Sequence, residues 1–160
     1  MTCKCEEKQV ISAEKAPKAL GPYSAAIKIN HFIYCAGQTG LNPATNQLVE
    51  GGVEAQTRQV LTNLKNVLES AGTDLAHVVK TTVFIMDMAD FQKMNAIYGE
   101  FFTENYPARS TIQVAGLPKN GLVEIELVAY DPSCDCDGDC DCNEDSGSGD
   151  DCCCGGNKDK

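Results

Sequence analysis

Three kinds of residue stand in this 160-residue chain where chemistry is possible, two of them charged. One is Arg109 in Asn-Tyr-Pro-Ala-Arg-Ser-Thr, residues 105–111, an arginine just after a proline and just before apolar residues. A guanidinium fork on a stiff backbone can hold a planar carboxylate by two parallel hydrogen bonds. It can equally be an exposed or ion-paired arginine at a strand end. The other is the pair Glu124 and Glu126 in Val-Glu-Ile-Glu-Leu-Val-Ala-Tyr. Alternation along a strand sends Val123, Ile125, Leu127 and Ala129 to one face and both carboxylates to the other. There they are either solvated or available for proton transfer. Tyr23, in Gly-Pro-Tyr-Ser, is open to a packing role at a turn, and Asn95, on a helical stretch, to a solvent-facing one.

Thiols are the third group. Of ten cysteines, Cys134, Cys136, Cys140, Cys142, Cys152, Cys153 and Cys154 crowd into the last 28 residues, with Cys3 and Cys5 at the other end and only Cys35 between. A disulfide framework would run through the fold, so bridges are not expected to hold it together. Cys-Asp-Cys repeats followed by three consecutive cysteines suit soft ions, Zn(II) or Cu(I), although a merely solvating tail or an interaction tag is also consistent with them. His31 falls in a predicted turn and His77 just before a strand, and neither has an obvious ligand partner in sequence. The body therefore offers no catalytic metal set.

Composition bounds the rest. The chain is 42% apolar with a formal net charge of −10, and the segment from Ser133 onward carries nine acids against two lysines. That segment holds −7, leaving −3 for everything before it. An acidic chain without a basic stripe is a poor partner for phosphate backbones, so nucleic acid is not expected. The first ten residues carry charges where a signal peptide needs an apolar core, and no window suits a membrane span, so a cytoplasmic location is expected.

The elements that must position these residues follow from periodicity. Residues 25–29 and 32–36 read as a hairpin around Asn30-His31. Val53, Val60, Leu61, Leu64, Val67, Leu68 and Ala71 mark a helix that Gly72 stops. Residues 77–86 are β-branched and aromatic and read as a strand buried on both faces. Phe91, Met94, Ile97 and Phe101 form the stripe of a second helix. Strands over 110–115 and 123–130 complete a ββαβαββ order, an α+β fold with two helices on one face of a mixed sheet. The other face needs a cover, which predicts a homo-oligomer. One domain over residues 10–132 is expected, with a flexible N-terminus (1–9) and a disordered acidic, Cys-rich tail (133–160).

Five segments carry a family resemblance: Gly-Pro-Tyr-Ser-Ala-Ala-Ile (21–27), Ala-Gly-Gln-Thr-Gly-Leu-Asn-Pro-Ala-Thr (36–45), residues 79–102, Tyr-Pro-Ala-Arg-Ser-Thr-Ile-Gln-Val-Ala-Gly-Leu-Pro (106–118) and Val-Glu-Ile-Glu-Leu-Val-Ala (123–129). In order and spacing the chain resembles the Rid, or YjgF-like, family, over about residues 10–130. The resemblance implies a chorismate-mutase-like subunit, a homotrimer with clefts between subunits, and cofactor-independent hydrolysis of 2-imino acids such as 2-iminobutanoate and 2-iminopropanoate. It also implies that Arg109 binds the substrate carboxylate, that Glu124 serves the attacking water, and that Tyr23, Asn95 and Gly37 line or border the cleft. Many members have cysteine where Thr111 stands here, and the resemblance implies that the main-chain carbonyl of that position is used toward the imine nitrogen. Alternatives of another class are a trimer that binds small carboxylates or protects other proteins, with the tail as a metal store, and RNA cleavage.

Overall fold

The computed structural model describes residues 7–132. Both the tail predicted to be disordered and the cysteines within it read as candidate metal ligands lie outside these residues, as do Cys3 and Cys5. In chain order the elements are β1 (Gln9–Ile11), β2 (Ala26–Ile29), β3 (Phe32–Thr39), α1 (Gly52–Ser70), β4 (Val78–Ile85), α2 (Phe91–Phe101), β5 (Ala108–Gln113) and β6 (Val123–Tyr130). They build one six-stranded sheet in the order β1-β2-β3-β6-β4-β5. Its ladders are antiparallel except for β4 and β5, which run parallel with α2 as their crossover. The α+β architecture of a mixed sheet with two helices is thus what the chain forms.

Local chemistry explains the boundaries. Asn30 takes the left-handed conformation (φ 51°) that closes the β2–β3 hairpin. Gly72 (φ 86°) ends α1, with Gly72 N–H donating to the Glu69 carbonyl at 3.2 Å and Thr73 N–H to that of Leu68 at 3.0 Å, a Schellman closure. The apolar stripe of α1 then meets the sheet: Val60, Leu61, Leu64, Val67 and Leu68 have no exposed surface, nor do Ile33, Val83, Ile85, Val123, Ile125 and Ala129 beneath the helices. From α2, Met94, Ile97 and Tyr98 join this layer.

Three features differ from the sequence reading. The three-residue β1 was not foreseen, because its apolar alternation is too short to register; it begins at Gln9, inside the stretch read as a flexible N-terminus. Arg109 lies within a strand rather than ahead of one, because the parallel ladder with β4 starts at the pair Lys80 and Ala108. Finally, β4 is buried on one face only. Thr81, Val83 and Ile85 are covered, whereas Lys80, Thr82 and Phe84 keep partial exposure because the helices occupy a single side of the sheet.

The other side is open. Phe32, Tyr34 and Ile112 are 43%, 48% and 49% exposed there, beside Tyr130. Their side chains project away from the helices, since the register neighbours Ile33, Ile125 and Ala129 project toward them.

Beneath α1, a polar clamp ties the end of β3. Asn63 is wholly buried and donates from Nδ2 to the carbonyls of Leu41 (2.9 Å) and Thr39 (3.3 Å), while its Oδ1 accepts from Gln59 Nε2 at 2.8 Å. One turn back, Gln56 Oε1 accepts from the Leu122 N–H at 2.8 Å. The substitution Asn63→Ala leaves the Leu41 carbonyl without its donor and Gln59 Nε2 without its acceptor, while the Thr39 carbonyl keeps the Leu41 N–H at 2.7 Å, and a loss of about 1–3 kcal/mol in stability is expected. Urea unfolding of the two proteins measures it.

Candidate active site

Two concave sites hold the residues singled out in the sequence, one on either side of the sheet. The first, about 270 Å³, is lined by Tyr23, Gly37 and Glu124 together with Leu20, Leu41 and Pro118. Glu124 reaches it because its neighbours Val123 and Ile125 face the core, which turns the carboxylate to the open side. Gly37 sits in a β-bulge. Cys35 pairs with Leu127 and Gln38 with Ile125, so β3 spends one residue more than β6 over this interval. The bulge brings the Gly37 backbone against the carboxylate: a Cβ there would lie 2.1 Å from Glu124 Oε1. Only glycine leaves this space. Tyr23 stands at the rim, its hydroxyl accepting from the Leu20 N–H at 3.1 Å.

Burial in this site raises the pKa of Glu124, and the neighbouring charge of Glu126 raises it further. A carboxylate so placed is a better proton acceptor than a solvated one.

The second site, about 370 Å³, is lined by Asn95, Tyr98, Gly99, Tyr106, Pro107 and Arg109. Arg109 is the register partner of Thr81, whose hydroxyl is hydrogen-bonded at 2.8 Å to that of Tyr98 on α2, so the arginine projects to the helix side. Its Nη2 donates to Asn95 Oδ1 at 2.7 Å, and its Cζ lies 4.5 Å from the centre of the Tyr98 ring. No carboxylate pairs with Arg109 among the described residues. The guanidinium keeps unused N–H donors beside an accessible cavity. Thr111 lies two residues along β5, on the same side as Arg109, and lines neither site.

The sequence-predicted residues therefore fall into two sets, Tyr23, Gly37 and Glu124 in one and Asn95 and Arg109 in the other. Within one chain the two sets cannot meet. Glu124 stands opposite Phe84, while Arg109 stands opposite Thr81 on the far side of β4, three residues along. Strand spacing and rise separate their Cα atoms by roughly 14 Å, and their side chains point to opposite faces. Tyr98 was missed by sequence reasoning. Its place three residues after Asn95, on the same helical face, is the signal that marks it.

Among the described residues no group of three or more His, Cys, Asp or Glu side chains could hold a metal ion. His31 and His77 belong to neither site. Cys35 is buried under α1, and burial pushes its thiol up to about 12, so it stays protonated.

A mixed sheet with both helices on one side, an arginine without a carboxylate partner among the described residues on that side and a half-buried glutamate on the other, defines a two-layer α+β protein. The profile of the family described as Endoribonuclease L-PSP matches residues 13–131, and the chain belongs to that family. It is 51% identical over 123 residues to a RutC family protein of Pyrococcus horikoshii, covering 77% of this chain and 98% of that one. It is 48% identical over 122 residues to the human protein named 2-iminobutanoate/2-iminopropanoate deaminase, covering 76% and 89%. Among solved structures, a Rid family protein from Yersinia pestis, YyfA, superposes with a TM-score of 0.75 at 48% identity, covering 78% of this chain and 99% of that one. Escherichia coli TdcF with bound serine superposes at 0.73 with 37% identity, covering 76% and 98%. No helix among the described residues is long and apolar enough to cross a membrane.

The contact between Gly37 and Glu124 is testable without a substrate. In Gly37→Ala the glutamate side chain has to move, while the fold, which loses only a flexible side chain's preferred position, changes in stability by less than about 1 kcal/mol. In Glu126→Gln, removing the neighbouring negative charge lowers the midpoint at which Glu124 takes up its proton, so Glu124 stays ionised to lower pH. Carbon-detected NMR titration of the Glu124 carboxyl reads both effects: a changed environment in the first variant, a downward shift in the second.

Proposed function

We propose that this protein hydrolyses the C=N bond of reactive 2-imino acids, releasing a 2-oxo acid and ammonia, without a cofactor for the chemical step. The observation that carries the reading is the state of Arg109, held by a neutral amide and an aromatic face with its remaining donors free. Its partner is then a ligand, and a planar carboxylate matches the fork. The relatives named 2-iminobutanoate/2-iminopropanoate deaminase and the serine-bound TdcF support a small amino-acid-like ligand.

In this reading the carboxylate of the imino acid lies on Arg109, with Asn95 orienting the guanidinium. Water attacks the carbon of the protonated imine as Glu124 takes one of its protons, giving a neutral carbinolamine. Glu124 then returns that proton to the nitrogen, the C–N bond breaks to release ammonia, and the hydroxyl proton passes to the Glu124 carboxylate as the C=O of the 2-oxo acid forms, to be lost afterwards to solvent. Tyr23 and the Gly37 backbone border the reacting centre, and the Thr111 main-chain carbonyl accepts a hydrogen bond from the imine nitrogen. Rate comes from orientation and from a poised carboxylate rather than from a covalent nucleophile.

Since Arg109 and Glu124 lie on opposite faces of one chain, the working site takes Arg109 from one copy and Glu124 from the next. A head-to-tail contact of this kind closes into a ring, and a homotrimer is the ring proposed. The open sheet face with Phe32, Tyr34 and Ile112 is the surface such an assembly would cover. The alternative of RNA cleavage fits poorly with a net charge of −10. A binding or protein-protecting role for the same cleft would need Arg109 but not Glu124. A cytoplasmic location suits an activity that intercepts metabolic intermediates.

Ammonia release from 2-iminobutanoate, generated in situ by a threonine dehydratase, tests the reading. Arg109→Ala is expected to lower kcat/KM by about 100-fold or more, the size of losing a two-pronged charge-assisted contact. Arg109→Ala and Glu124→Gln subunits, inactive apart, should regain activity when unfolded and reassembled together, with about a quarter of the sites carrying both native groups. A folded, inactive native protein would sink the deaminase reading.

The tail supports an accessory role. Its seven thiols, four interspersed with aspartates and three consecutive, would bind Zn(II) or Cu(I) as thiolates. Removing residues 133–160 should abolish metal uptake, measured with a chromogenic chelator under reducing conditions, and leave deamination intact.

A further inference from the structure

The carboxylate-binding arginine is built on an aromatic floor. Arg109 Cζ stands 4.5 Å from the Tyr98 ring centre and 5.8 Å from that of Phe91. The Tyr98 ring is itself fixed from two directions. Its hydroxyl shares a 2.8 Å hydrogen bond with Thr81 Oγ1, and both groups are buried. Its face stacks on Phe102, with centroids 4.5 Å apart and planes inclined by 28°. Thr81 is also the register partner of Arg109 in the parallel β4–β5 ladder. The same rung therefore holds the arginine backbone and anchors the ring beneath its side chain.

Geometry limits what the guanidinium can then do. A cation over the ring is attracted by the negative face of the π system, and a flat guanidinium in van der Waals contact with a ring leaves its N–H groups pointing outward along its edges. Asn95 Oδ1 takes one of those donors. The other edge is left to the cavity lined by Tyr106, Pro107 and Gly99, to which no acidic side chain contributes. Burial also raises the Tyr98 pKa, so the floor is a neutral phenol and makes no ion pair that would compete with a ligand.

We infer that Tyr98 is a positioning residue for the Arg109 clamp: its ring face fixes the plane of the guanidinium, so that a free edge meets an incoming carboxylate already oriented. A long, freely rotating side chain loses conformational freedom on binding, and one already held flat loses less. The inference rests on the reading of Arg109 as the carboxylate binder, and it assigns the ring's charge distribution, beyond its bulk, a part in affinity.

Binding of 2-oxobutanoate to the full-length assembly, followed by titration calorimetry, tests this independently of catalysis. The proteins compared are the native chain, Arg109→Ala, Tyr98→Leu, Tyr98→Phe, and Tyr98→Phe with one, two or three ring fluorines introduced at position 98. Tyr98→Leu is expected to weaken binding and raise the KM for 2-iminobutanoate about tenfold, with kcat lowered less than threefold. Tyr98→Phe keeps the ring and should bind within threefold of native. Fluorination keeps the shape and drains the ring face, so affinity should fall stepwise with each fluorine, which a purely structural role would not produce. Affinity independent of fluorination overturns the proposal even if Tyr98→Leu fails to fold. A native protein that binds 2-oxobutanoate through Tyr98 yet releases no ammonia leaves the positioning role standing and removes the deaminase reading. A native protein that does not bind 2-oxobutanoate overturns both.

Discussion

Side-chain alternation in a sheet covered on one face governs this molecule. Successive residues of a strand must point to opposite sides, and α1 and α2 occupy one side only. The stripe Val123, Ile125, Leu127 and Ala129 is drawn under the helices by the burial of apolar surface, the dominant favourable term in folding. Glu124 and Glu126 are then committed to the open side without any preference of their own. On β5, Arg109 shares its side with Thr81, against α2. The polar residues are consequently divided over two faces, and in the function proposed above it is association of identical chains that brings them together.

The two halves are supported differently. Around Glu124 the supports are backbone devices: a bulge in β3, a glycine without room for a Cβ, and the carbonyls of Thr39 and Leu41 held by Asn63 from α1. They place the carboxylate in a shielded recess where desolvation and Glu126 both oppose its ionisation. Around Arg109 the supports are side chains of α2 and β4: an amide edge-on, an aromatic face below, and a threonine hydroxyl that secures the ring. A cation held by neutral groups keeps its charge available for a ligand, whereas a buried carboxylate partner would have consumed it.

Much of the fold was legible in the sequence because its signals are local. The 3.6-residue spacing of Val60, Leu64, Val67 and Leu68, the stop at Gly72, the Asn30-His31 turn and the alternation in residues 123–130 each reflect physics acting over a few residues. β1 was not legible, since three residues carry too little pattern, and β4 was read as buried on both faces because composition does not reveal that both helices lie on the same side. Within the site, Arg109 and Glu124 stood out by type and place, and the five motifs shared with the Rid family identified their company. Tyr98 did not stand out, because an aromatic residue on an amphipathic helix looks like any other core residue until its neighbour across the gap is known.

The sequence by itself determined the elements apart from β1, the faces of β6 on which its apolar and acidic residues fall, and the family. Only the tertiary structure decided which face each element covers, that Arg109 rests on Tyr98 beside Asn95, that the β3 bulge sets Gly37 against Glu124, and that the two sets lie on opposite sides of one sheet. The reason is the range of the interactions concerned. Periodicity and turn chemistry are written in neighbouring residues, whereas strand order, register and a bulge arise from pairings between segments far apart in the chain. Gly37 and Glu124 are 87 positions apart in the numbering, and no local signal joins them.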